Sequence, residues 1–140
     1  MNSTVTAVIL WALLTLFCLR VVGQVVVVLA HPAWLPRMAQ WYSGLLPYPL
    51  LLPAQVVLIA LMSVMAWQVS AHVAPFGTPH RAVGVVLIPL AIVYAGSMAV
   101  RYAVRMARDP DQRWLGGTIP IIFHVVLAAF LLLFAWVQLG

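Results

Sequence analysis

Lysine and glutamate are both absent from this chain, and its acidic residues number two, Asp109 and Asp111. Only 6% of the 140 residues are charged, against about 25% in ordinary soluble domains. The two aspartates flank Pro110 in one short loop, where they read as solvated, so no paired carboxylates are available for acid–base work. Cys18 is the single cysteine, which excludes an intrachain disulfide and a cysteine-based metal cage. There is no glycine-rich phosphate loop, no HExxH and no Ser–His–Asp set. No hydrophilic stretch is long enough for a water-soluble domain. The leader Met1-Asn2-Ser3-Thr4 has no basic residue, and Arg20 interrupts the apolar run behind it, so a cleaved signal peptide is not expected. Residues 1–140 are read as one integral membrane domain.

What the chain does have is apolar length: 66% of it is hydrophobic. Apolar runs recur at about residues 5–30, 49–71, 82–104 and 118–138. Each reaches the roughly 20 residues that a helix needs to cross a ~30 Å hydrocarbon layer. The runs do not alternate polar with apolar residues, so barrel strands are excluded. The expected fold is an all-α polytopic membrane protein, four transmembrane helices in an antiparallel bundle. A short interfacial segment is expected between helices 1 and 2, in residues 31–48. There Trp34, Trp41, Tyr42 and Tyr48 are aromatics of the headgroup-anchoring kind, and the prolines leave room for one short helix over Arg37–Leu46. Pro89 in the middle of helix 3 removes a backbone donor and is expected to kink it.

The seven cationic residues are all arginine. Arg37, Arg101, Arg105, Arg108 and Arg113 fall on one side of the membrane, and Arg81 alone falls in the opposite loop. The positive-inside rule then puts loops 31–48 and 105–117 in the cytoplasm and both termini outside, in the periplasm for a bacterial inner membrane. The formal charge of +5 is thereby a matter of orientation, and nucleic acid is not an expected partner. Arg101, Arg105 and Arg108 recur at helical spacing on the cytoplasmic extension of helix 3, where lipid headgroups or a partner protein would meet them. Ala91, Ala95, Ala99, Ala103 and Ala107 form a small-residue stripe on the same helix, of the kind that lets helix backbones approach and subunits assemble as homo- or hetero-oligomers.

Arg20 is the one charge well inside a span, at an insertion cost of roughly 2.5–3.5 kcal/mol. Counting inward from the cytoplasmic ends places Arg20 and Gln24 on helix 1, Gln55 on helix 2, Tyr94 and Ser97 on helix 3 and His124 on helix 4 at a common depth. At 1.5 Å per residue that depth is roughly 9–15 Å from the boundary. Polar groups in lipid turn toward the bundle interior. These six residues are therefore expected either to line a ligand pocket or to form an internal network that satisfies Arg20. A quinone carbonyl, an anion or a lipid phosphate would suit the guanidinium. His124 could ligate haem iron, but none of His31, His72 and His80 stands at a matching depth for a second axial ligand, which disfavours haem. His72 and His80 match no metal-ligand spacing.

Arg20 and Gly23, the run LLPYPLLLPAQVVLIALM over Leu45–Met62, and Arg81-Ala82 opening helix 3 resemble the DoxX-type family of small four-helix membrane proteins, over about residues 20–100. Gln55 stands near the place where such proteins often carry an acidic residue. The resemblance implies a membrane subunit associated with redox or quinone chemistry. Three functions follow from the whole reading. The first is a non-catalytic integral membrane subunit or accessory protein holding a quinone or lipid in the polar layer. The second is a haem- or quinone-linked redox component, and the third is a small oligomeric transporter or channel. Acid–base catalysis would have to rest on His124 or Tyr94 alone.

Overall fold

A computed structural model describes residues 2–35, 47–108 and 119–140. It is all-helical: α1 spans Ser3–Ala30, α2 Tyr48–Ala71, α3 Arg81–Arg108 and α4 Ile119–Leu139. All four helices are long and apolar enough to cross a membrane. The short helix expected over Arg37–Leu46, with Trp41, Tyr42, Arg37 and Arg113, lies outside the described residues.

The helix ends show why the elements begin and stop where they do. Asn2 caps α1, its side-chain oxygen accepting from the Thr4 N–H at 3.1 Å, which starts the helix two residues before the apolar run. α1 and α2 both end on a histidine in the left-handed conformation, His31 at φ 46° and His72 at φ 56°. Glycine usually fills that position. Here the cap N–H of His31 returns to the Val27 carbonyl, and that of His72 to Gln68 and Val69. α2 starts behind Pro47 and carries proline in its first turn, where the missing donor costs nothing. Pro89 stands inside α3, which continues as a single helix to Arg108.

α1 is the centre of the packing. It contacts α2 on one side and α4 on another, while among the described helices α3 packs on α4 alone. Leu10, Leu14, Phe17 and Val21 of α1, Met62, Met65, Ala66 and Val69 of α2, and Phe130 and Phe134 of α4 form the buried core. Of α3, only Gly84 and Ala91 are buried. They lie seven residues apart, as do the buried Ala128 and Ala135 of α4, so each pair shares one helical face. A Cβ on Gly84 would stand 2.8 Å from the Ala135 carbonyl oxygen. Small side chains on both helices thus set the close approach of α3 to α4. The alanine stripe does not follow this seam. Ala91 is buried and Ala95 half-buried, while Ala99 and Ala103 are exposed. Four residues turn a helix by about 400°, so an every-fourth-residue stripe drifts off any straight contact line.

The loop between α2 and α3 is built on two glutamines. Gln68 Oε1 accepts from the Phe76 N–H at 3.0 Å. The fully buried Gln138 accepts from the His80 N–H at 3.0 Å and donates to the Phe76 carbonyl at 2.8 Å. Phe76 packs edge-on against Phe134 at 5.8 Å. Trp11 near the start of α1 donates to the Ser70 hydroxyl near the end of α2 at 2.9 Å.

Candidate functional site

α2 and α4 both lean on α1, yet nowhere do their Cα atoms come within 8 Å of each other. The space between them is a partly open cavity of about 190 Å³. Phe17 and Arg20 of α1 form its floor, Leu51, Ala54, Gln55 and Leu58 of α2 one wall, and Pro120, Phe123, His124 and Leu127 of α4 the other. Three of the six residues expected in a polar layer, Arg20, Gln55 and His124, therefore share one cavity. The remaining lining is aliphatic and aromatic.

Each of the three side chains is held differently. Arg20 is buried on the inward face of α1. Gln55 is 4% exposed, and its Oε1 has no hydrogen-bond partner among the described residues. His124 is half-buried and its Nδ1 meets the Tyr94 hydroxyl of α3. The two rings are edge-on, with centroids 5.8 Å apart. Tyr94 thus joins the layer from behind, through His124, without lining the cavity.

Gln24 and Ser97 stand apart from the cavity. Gln24 is fully buried on the face of α1 that carries Arg20, and neither amide atom has a partner among the described residues. An unsatisfied buried polar group costs about 1–3 kcal/mol, so this position asks for a water or a ligand group. Ser97 lies on the exposed side of α3, and its hydroxyl donates to the Tyr94 carbonyl at 2.7 Å, within its own helix. Three residues from Tyr94 is about 60° off its direction, enough to turn Ser97 outward.

A second polar feature lies at the end of α3. Arg101, Arg105 and Arg108 line a hollow of about 290 Å³ with Val104, and the buried Arg105 Nε has no hydrogen-bond partner among the described residues. The spacing noted in the sequence does bring these three arginines to one place. Sequence reasoning passed over Gln68 and Gln138, which sit in the last turns of α2 and α4. The depth count that singled out Gln55 would have found them had it been run from the outer ends as well.

No protein-family model matches this chain, and the searches of curated proteins and of solved structures match nothing either.

Proposed function

We propose that this protein is a small, non-catalytic integral membrane subunit or accessory protein that holds a lipophilic molecule, a quinone or a lipid, in the cleft between α2 and α4. One observation carries this reading: a cavity between α2 and α4 with largely apolar walls has Arg20, Gln55 and His124 in its lining. A few placed polar groups in an otherwise apolar recess between helices are the usual make-up of a small-molecule site. A ligand entering between two helices comes from the bilayer and leaves its tail there.

The rest of the proposal concerns setting. The four helices form an antiparallel bundle in a bacterial inner membrane, with both termini periplasmic and loops 31–48 and 105–117 cytoplasmic, 31–48 forming an interfacial belt. The arginine distribution supports this, and the bond between the start of α1 and the end of α2 fits opposed directions. On this orientation the cleft lies in the cytoplasmic half, and Arg101, Arg105 and Arg108 meet lipid phosphates at the surface. Among the described helices α3 packs on one only, and its exposed Ala99 and Ala103 would meet lipid, a second copy or a partner subunit. The resemblance of the Leu45–Met62 run and Arg81-Ala82 to DoxX-type membrane subunits supports this reading.

The test is mass spectrometry of the protein released from its own membranes in lipid discs. The wild type carries a non-bilayer adduct, or one lipid species far above its membrane abundance, and Gln55→Leu and His124→Ala lose it. A wild type that releases only the bulk lipid mixture contradicts the proposal. Visible absorption of the same sample separates the redox alternative, since a Soret band abolished in His124→Ala would assign haem instead.

A further inference from the structure

The cleft contains an acceptor that the described residues leave unsatisfied and a donor whose proton the fold places. The acceptor is Gln55 Oε1, buried in the cavity wall without a partner. The donor follows from the contact behind His124. The Tyr94 hydroxyl has His124 Nδ1 as its one hydrogen-bond partner among the described residues. A neutral His124 that gave an Nδ1 proton to the phenol would leave the phenol's own hydrogen with no acceptor among the described residues. Tyr94 therefore donates to Nδ1, and the imidazole carries its proton on Nε2. The ring that lines the cleft is then a donor there, and the amide opposite is an acceptor.

A ligand that satisfies both must accept and donate at one head group. A ketone, an ether or a quinone carbonyl only accepts and leaves Gln55 Oε1 bare; a carboxylate adds acceptors and does the same. A hydroxyl does both. We propose that the cleft takes an uncharged lipophile headed by a hydroxyl, whose oxygen accepts from His124 Nε2–H and whose proton is given to Gln55 Oε1. The inference rests on the reading of the cleft as a lipophile site. The apolar walls, Leu51, Leu58 and Leu127 among them, suit the tail. A phenol-type head and an aliphatic alcohol share this chemistry. Tyr94 is a positioning residue in this arrangement, acting only through the tautomer of His124.

The experiment compares matched probes on the full chain in lipid discs: para-dodecylphenol against para-dodecylanisole, and dodecanol against its methyl ether. Binding is read by competition with tritiated para-dodecylphenol. Each methyl ether keeps the oxygen acceptor and loses the donor. In at least one pair the hydroxyl compound binds about tenfold tighter than its ether, the worth of one satisfied hydrogen bond. The pair that discriminates names the source: phenol or alcohol. Gln55→Met, similar in length but without the acceptor, removes the difference by weakening only the hydroxyl compound, and Tyr94→Phe narrows it. Equal binding of hydroxyl and ether in both pairs by the wild type overturns the inference and leaves the lipophile site standing, with or without a folded Gln55→Met. Failure of every probe to bind overturns both.

Discussion

The Tyr94 hydroxyl and His124 Nδ1 make the one side-chain hydrogen bond between α3 and α4 among the described residues. Among the described helices α3 packs its backbone on α4 alone, and this bond and the Gly84 seam both join it there. The same bond orients the ring that lines the cleft, so the placement of α3 and the chemistry of the site share one pair of atoms.

Tyr94→Phe should therefore cost stability and alter the site together. Hydrogen bonds between membrane helices are worth about 0.6 kcal/mol on average and up to about 1.7 kcal/mol. A double-mutant cycle of Tyr94→Phe with His124→Ala, read by unfolding in mixed micelles, should give a coupling in that range. Strict additivity would mean that the bond does not form in lipid.

Two glycines on α3 should respond oppositely to the same change. A Cβ at Gly84 would meet the Ala135 carbonyl oxygen and Leu139 Cδ2 at 2.8 Å, whereas one at Gly96 would meet nothing within 4 Å. Gly84→Ala should destabilise by about 1–3 kcal/mol through overpacking. Gly96→Ala should be neutral or stabilise by up to about 1 kcal/mol through helix propensity. Equal effects on the unfolding midpoint would show that α3 does not sit against α4 as described.

The two outer glutamines should separate by hydrogen exchange. Gln68→Leu frees the Phe76 amide, and Gln138→Leu frees the His80 amide. Each substitution should speed exchange at its own amide more than at the other. Uniform acceleration over residues 72–80 in both variants would mean that the loop has no separate anchors.

The four helices were legible in the sequence because hydropathy over 20 residues needs no knowledge of direction. α3 reaches Arg108 rather than 104, as the alanine and arginine spacing beyond the apolar run implied. Position along the axis carried over in part: Arg20, Gln55 and His124, singled out by counting 1.5 Å per residue, line one cavity. Azimuth was less so. Gln24 shares Arg20's face but does not line the cavity, Tyr94 reaches it only through His124, and Ser97 faces outward. Helices apolar on every side carry little periodic signal for which face turns inward. The partner of α3 was not readable either. Gly84 sets the seam, and a single glycine among valines gives less sign of it than the five-alanine stripe that drifts away.

The central claim is that the Arg20–Gln55–His124 cleft takes a lipophile from the bilayer between α2 and α4. It is tested most directly with an alkyl phenol carrying a photoreactive diazirine on its tail, applied to the protein in lipid discs and mapped by peptide sequencing. Labelling should concentrate on α2 around Leu51–Leu58 and on α4 around Pro120–Leu127, and excess unlabelled para-dodecylphenol should suppress it. Labelling spread evenly over exposed positions such as Val85, Val86 and Val93 of α3, and untouched by competitor, would contradict the account.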